Sequence, residues 1–300
     1  MTIALSVIFA LSAAALYGIS SVHQQAAAQR EADLPILGLR VLRRLARRPA
    51  WLLAVALSGL SFIAQAVALA FGPLALVQPI AATDLLFALP LLARRHRRRL
   101  GARDWLAAAM VVGGVAGFLS ASPPSAGSSA PSVTTWVVLL ASVAVLVSAV
   151  AGAAIAWRGV RRTALLAASG GLMFAAVDAL TKGVVGAFDV RGLQALASFE
   201  PYVLLVAGIA ATLLAQGAYR AGSLVTSLPV IDTVEPVAAV FIGATAFSEH
   251  LGGSPALWLA QLGAGALAVV GIVLLARSAL LEHGSEEIDP AHEAGWSPRV

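Results

Sequence analysis

The sequence predicts an all-α polytopic membrane helix bundle of about nine transmembrane helices. Hydrophobic residues make up 59% of the 300 residues and charged residues only 12%, against about 45–50% and about 25% in ordinary soluble domains. The apolar residues also fall into blocks of roughly twenty, the length that a helix needs to cross ~30 Å of hydrocarbon. Basic residues concentrate in the short segments between those blocks, as they do in membrane proteins. Lipid is therefore the expected solvent of most of this chain.

Each predicted span is an apolar block that ends at charged, glycine-containing or proline-containing segments. The spans are 3–22, 51–71, 73–93, 104–121, 134–156, 163–187, 202–219, 222–247 and 255–276. The connecting segments alternate in charge, because 94–103 and 158–162 carry arginine clusters whereas 122–132 carries no charge. Placing the arginine clusters in the cytoplasm predicts an inner-membrane protein with its N-terminus outside and its C-terminus inside.

Two segments outside the spans have their own patterns. Residues 34–48 alternate apolar and basic positions at helical spacing, which predicts an interfacial amphipathic helix beside anionic lipid headgroups. A solvated basic loop is the alternative. The two faces consist of Leu34, Leu37, Val41 and Leu45 on one side and Arg40, Arg43, Arg44 and Arg47 on the other. The tail 278–300 is rich in acids, glycine and proline, and we expect a disordered cytoplasmic end.

Composition also argues against several classes of protein. The chain has no cysteine, which excludes disulfides and thiol chemistry. Its net charge is +5, but the basic residues flank the membrane, so nucleic acid is not an expected partner. No span contains a histidine or an HExxH motif, so we expect neither an enzyme nor a bound cofactor.

An internal repeat at an offset near 150 residues divides the chain. GPLALVQPIAATDLLFA (72–88) aligns with GSLVTSLPVIDTVEPVA (222–238), so that Pro79 meets Pro229, Thr83 meets Thr233, and Asp84 falls one position from Glu235. The charge pattern makes the first span run inward and the sixth run outward. The predicted units are a first repeat at 1–122, an outer loop and connecting helix at 123–162, an inverted repeat at 163–277 and the tail. Inverted repeats are typical of secondary transporters.

Charged residues within the spans are the main candidates for a site, because each costs ~2.5–3.5 kcal/mol to insert. Asp178 and Lys182 lie four residues apart on one helical face, and Asp232 and Glu235 share another face. The former pair is equally well interpreted as a structural ion pair. Together with Asp84, the acids outnumber the single intramembrane lysine, which predicts that protons or a cation complete the charge balance.

Prolines and neutral polar residues extend the candidate site. A proline leaves the carbonyl four residues earlier without its helical donor, so Pro79, Pro229 and Pro236 predict helix breaks near the midplane. A simple kink is the alternative. The candidate neutral ligands, which buried interhelical hydrogen bonds explain equally well, are Thr83, Thr181, Thr233, Gln65 and Gln216. Gly113 and Gly117, four residues apart, indicate close helix packing.

The chain resembles the drug/metabolite transporter superfamily, both its NIPA-type magnesium-transporter branch and its EamA-like permeases. The resembling segments are LAFGPLALVQP (69–79), TK (181–182), LVTSLP (224–229) and the EP…FSE run (235–249). The resemblance implies a nine- or ten-helix permease that moves a small solute by alternating access. Ten helices would require 34–50 to span, which its five arginines argue against.

The predicted function is that of a secondary transporter whose substrate is open between a small metabolite or drug and a divalent cation such as Mg²⁺. Phe62 and Gln65 stand where the NIPA-type members have an acid and an asparagine, so the resemblance does not decide between these substrates. A membrane scaffold or subunit that transports nothing is the alternative function. Membrane lipids are expected partners, and a homodimer is left open.

Overall fold

The described part of the chain is helical, and no strand occurs in it. The structure is a computed structural model that describes residues 2–30, 39–71, 80, 83–95, 97, 99–121, 131–247 and 254–277. The helices within those ranges are α1 (Thr2–Gln29), α2 (Leu39–Leu45), α3 (Pro49–Phe71), α4 (Asp84–Arg95), α5 (Ala102–Ser120), α6 (Val133–Ala156), α7 (Gly159–Arg191), α8 (Glu200–Ala221), α9 (Leu224–Ala246) and α10 (Pro255–Ala276). A 3-10 helix, Gly192–Ala197, joins α7 to α8. The all-α prediction is confirmed.

Six of the described helices, α1 and α6 to α10, are long and apolar enough to cross a membrane. Many of their large apolar side chains point outward, including those of Val145 on α6 and Leu262 on α10, as expected where lipid is the solvent. The chain is thus built as a membrane-embedded helical bundle. The count of nine spans and the orientation of the termini stay predictions.

The helices pack in a regular order. α1 packs on α3 and α4, α7 packs on α8 and α9, and α5 and α10 pack on each other, while α6 lies against α7. The largest buried cluster includes Leu85 and Leu89 of α4, Leu166 of α7, and Leu228 and Ile231 of α9. The core therefore lies where the helices that carry the predicted charged residues meet.

Glycines allow α5 and α10 to approach closely. A Cβ on Gly114 would lie 2.6 Å from the backbone nitrogen of Ala268, and one on Gly271 would lie 2.7 Å from the carbonyl oxygen of Ala107. Each helix thus contributes a glycine that faces the backbone of the other. Gly113, predicted to pack, has open space beside it, because the contact face passes through its neighbour Gly114.

The amphipathic segment is described only in part. α2 covers Leu39–Leu45, and residues 31–38, with Leu34 and Leu37, lie outside the described ranges. Leu45 is fully buried against Ala27 of α1 and Trp51 of α3. Arg40 and Arg43 are exposed, so the described turns have the predicted apolar and basic sides.

Helix breaks at Pro229 and Pro236 were wrongly predicted, because α9 is continuous from Leu224 to Ala246 with both prolines inside it. Prolines are tolerated in such helices when neighbouring helices surround the backbone, and Pro229 is buried. Pro79 lies outside the described residues. The described helix α4 begins at Asp84, after a turn at Thr83, so Asp84 lies at a helix start and not inside the described helix.

Candidate functional site

Four acidic side chains from three helices converge inside the bundle. The carboxyl group of Asp84 on α4 lies within hydrogen-bonding reach of Asp232 on α9. That of Asp178 on α7 lies within hydrogen-bonding reach of Glu235, also on α9. Glu235 also interacts electrostatically with Asp84. The structure therefore brings together all four acids that the sequence singled out, and each is paired with an acid on another helix.

The Asp84–Asp232 pair is poor in other hydrogen-bond donors. Asp84 Oδ1 accepts the backbone N–H of Leu85 at 2.6 Å. Asp84 Oδ2 and Asp232 Oδ2 are buried, and no other described residue donates to them. Two carboxyl groups can form a hydrogen bond with each other only when one of them carries a proton. This arrangement is therefore suited to holding and releasing a proton.

Access to the four acids differs along the cluster. Asp84 is only 2% exposed, and Asp232 and Glu235 are half-buried, whereas Asp178 is exposed. Asp178 contacts Glu235 on α9, so it forms the more exposed end of the cluster. The cluster thus runs from a dry end at Asp84 to an accessible end at Asp178.

Lys182 lies one helical turn beyond Asp178 and is also exposed. Its ammonium nitrogen lies 4.4 Å from the centre of the Phe247 ring, a cation–π contact. Phe247 meets Trp136 of α6 edge-to-face, with ring centres 6.0 Å apart. Lys182 is therefore packed on an aromatic pair beside the accessible end of the acid cluster.

The acids are held in position by close helix contacts. A Cβ on Gly18 of α1 would overlap the carbonyl oxygen of Asp84, and one on Gly171 of α7 would lie 3.2 Å from the backbone nitrogen of Glu235. Without side chains at these two positions, the backbone of α1 approaches that of α4 and the backbone of α7 approaches that of α9. Both helices that carry the deepest acids are thus fixed by a glycine.

The neutral polar residues that the sequence predicted as ligands do not all lie at the acid cluster. Thr83 Oγ1 donates to the Ile80 carbonyl at 2.6 Å, and Thr181 Oγ1 donates to the carbonyl of Val177 within α7 at 2.7 Å. Thr233 is 7% exposed, and its hydroxyl has no partner among the described residues. Gln65 is half-buried. Gln216 contacts Gln24 at 2.7 Å, in a separate polar cluster.

Two tyrosines belong to the site and were missed from the sequence. Tyr17 on α1 and Tyr219 on α8 each interact electrostatically with Asp84, Asp232 and Glu235. Tyr219 is 3% exposed and is hydrogen-bonded to Ser21. A tyrosine in an apolar span is easily interpreted as a packing residue. All three tyrosines of the chain, including Tyr202, lie inside predicted spans, so position within a span did not single out Tyr17 and Tyr219.

The described acids do not have the arrangement of a metal centre. No group of three or more His, Cys, Asp or Glu in the described part of the chain is placed so that it could hold a metal ion. The acids form two pairs that meet at α9, and not a single cage. The fold and site together define a membrane-embedded helical protein with a buried cluster of acids.

Comparison with known proteins adds one relative of unassigned function. The chain is 28% identical over 284 residues to an uncharacterized protein of Corynebacterium glutamicum, a match that covers 94% of this chain and 98% of that protein. The similarity thus extends over essentially the full length of both chains. No family model matches the chain, and no solved structure matches it.

Proposed function

We propose that this chain is a secondary transporter of the cell membrane that moves a small solute or a cation by alternating access. The observation that carries the proposal is the convergence of four carboxyl groups from α4, α7 and α9, with one end dry and the other accessible. Acids that outnumber the lysine beside them are costly inside a membrane protein, and such residues usually mark an ion or proton pathway. A scaffold that moves nothing has no need of them.

The packing of the helices supports two halves of similar design. α1 packs on α3 and α4 as α7 packs on α8 and α9. In each half a glycine, Gly18 or Gly171, brings the first helix against the helix that carries the acids. These parallels agree with the predicted inverted repeat, in which one half rocks against the other around a central site.

In the proposed cycle, the acids exchange a proton or a cation with water at the exposed end of the cluster, at Asp178. Neutralising Glu235 and Asp84 removes the cost of enclosing charged groups in a dry interior, and the halves are then free to change their relative positions. Because the acids form pairs and not a metal cage, we favour the proton as the coupling ion. The solute class stays open between organic metabolites or drugs and divalent cations.

Glu235→Gln tests this role. The amide keeps the size and polarity of the side chain but cannot titrate, so we expect folding to persist and coupled transport to fall at least 100-fold. Purified protein in liposomes with an imposed pH gradient would be assayed against amino acids, cationic drugs and Mg²⁺. Asp104→Asn is the matched control, because Asp104 lies at the start of α5 and accepts from the Gly101 N–H at 2.9 Å. Unimpaired coupled transport by Glu235→Gln would overturn the assignment.

A further inference from the structure

A second polar cluster, made of neutral side chains, joins α1, α3 and α8. Gln216 Nε2 on α8 donates to Gln24 Oε1 on α1 at 2.7 Å. Gln24 Nε2 in turn donates to Ser20 Oγ at 2.9 Å and to Ser58 Oγ of α3 at 3.0 Å. Gln216 is 1% exposed, so these bonds lie inside the bundle.

Two further glutamines of α1 hold the turn between α8 and α9. Gln25 Nε2 donates to the Gly222 carbonyl at 3.0 Å, and Gln29 Nε2 donates to the same oxygen at 3.3 Å. Gly222 also packs against Thr163 of α7, whose hydroxyl a Cβ at this position would overlap. We call the contacts of Gln24, Gln25 and Gln29 with Gln216 and Gly222 the α1–α8 clasp.

The clasp connects the two proposed halves at one end of the bundle. It involves the last third of α1, the last turns of α8 and the start of α9. The neighbouring side chains of Leu224, Val225 and Leu228 are at most 1% exposed. From Asp232 onward the described side chains of α9 are mostly half-buried, and Asp178 on α7 is exposed. The side chains at the clasp end of α9 are thus more deeply buried than those beyond the acids.

The chemistry of the clasp suits a contact that opens and closes. All its groups are neutral amides and carbonyls, so separating them leaves no unpaired charge in the interior. Gln216 Oε1 is buried, and no donor among the described residues reaches it, which makes the closed arrangement incompletely satisfied. A contact built from ion pairs would be much harder to reopen.

We propose that the α1–α8 clasp is the gate that closes the bundle between the acid cluster and the end where α1 finishes. The gate rests on the proposed function, since alternating access requires each end to close in turn. In the present conformation the clasp is formed, and the exposed Asp178 lies farther along α7 than Thr163, which contacts Gly222 at the clasp. Separation of α1 from α8 would open the clasp end.

The absence of cysteine from the chain makes the gate testable with single reporters. Ser227→Cys reports on the clasp end, and Ser6→Cys reports on the opposite end of α1, because both serines are fully buried. Each reporter would be combined with Gln216→Leu or Gln25→Met, and the rate of N-ethylmaleimide labelling would be measured on purified full-length protein. Loss of one neutral hydrogen bond should raise labelling at Ser227→Cys about five-fold, equivalent to ~1 kcal/mol.

Thr212→Val is the matched control, because the Thr212 hydroxyl donates within α8 to the Gly208 carbonyl at 2.8 Å. We expect this variant to leave labelling at Ser227→Cys unchanged, and both clasp variants to leave labelling at Ser6→Cys unchanged or lower. Unchanged labelling of Ser227→Cys in both clasp variants would overturn the gate, and so would equal increases at both reporters, which indicate general loosening.

Transport measured on the same variants separates the gate from the proposed function. If labelling changes as expected but no solute moves in liposomes, the clasp is a movable contact and the transporter assignment fails. If a solute moves and labelling stays constant in both clasp variants, the transporter assignment stands and the gate is wrong.

Discussion

At the scale of single residues, the acids matter because their partners lie on other helices. The Oδ2 atoms of Asp84 and Asp232 are both buried, and no other described residue donates to them. A proton shared between two carboxyl groups satisfies both at once, whereas two ionised groups would repel each other. Binding or loss of one proton therefore changes the interaction between the two carboxyl groups from repulsion to a hydrogen bond or back.

Replacing Asp84 tests whether the pair depends on a hydrogen-bond donor. Asparagine retains a donor that can reach Asp232. We therefore expect the unfolding temperature of Asp84→Asn to lie within a few degrees of that of the parent protein. Leucine leaves the facing carboxyl group without a partner, and Asp84→Leu should lose ~1–3 kcal/mol of stability. Thermal unfolding in detergent measures the stability of both Asp84 variants, and Asp104→Leu is the control outside the cluster. Equal losses in the two Asp84 variants would show that the pair is not a hydrogen-bonded one.

At the scale of elements, small residues decide which helices meet. The reciprocal contacts of Gly114 with α10 and of Gly271 with α5 bring those two backbones together. Van der Waals packing of this kind replaces the hydrophobic effect, which is weak between helices in lipid. The pair α5 and α10 makes few contacts with α4 or α9 compared with its own interface, so it forms a distinct two-helix unit of the bundle.

Adjacent glycines on α5 provide a matched test of this unit. Gly114→Val places two methyl groups against the backbone of Ala268, and we expect overpacking to cost ~1–3 kcal/mol. Gly113→Val should be nearly neutral, because nothing lies within 4 Å of a Cβ at that position. The stabilities of the two variants would be compared by thermal unfolding in the same detergent. A larger loss in Gly113→Val would mean that α5 meets α10 through another face.

At the scale of the whole molecule, the transporter proposal depends on two halves of opposite orientation. The arginine clusters at 94–103 and 158–162 predict this orientation. The described helices pack in two similar groups, and the direction of each group relative to the membrane is a prediction from the charges of the connecting segments.

Cysteine reporters in intact cells test the orientation, since the chain has no cysteine of its own. Arg103→Cys and Arg158→Cys should be protected from a membrane-impermeant maleimide, because both clusters are predicted to be cytoplasmic. Thr134→Cys, at the start of α6, should be labelled. All three residues are exposed. Labelling of only one of the two arginine positions would place the clusters on opposite sides and remove the inverted symmetry.

The elements and the residues of the site were predictable to different degrees. Apolar blocks of membrane length predicted the helices, because length and hydropathy are properties of one segment. The four acids were identified because charge inside an apolar block is costly wherever the block packs. The helix breaks at Pro229 and Pro236 were predicted wrongly, since the neighbours of α9 decide whether its backbone tolerates them. Tyr17 and Tyr219 were missed for a related reason, because only packing brings them to the acids.

By itself the sequence determined the membrane as solvent, the helical class and the acids that lipid cannot solvate. Only the tertiary structure decided that Asp84 meets Asp232 and that Asp178 meets Glu235. It also decided that glutamines on α1 reach Gln216 and Gly222, across more than 190 residues of chain. Helical spacing relates side chains along one helix, whereas pairing between helices depends on how whole surfaces fit together.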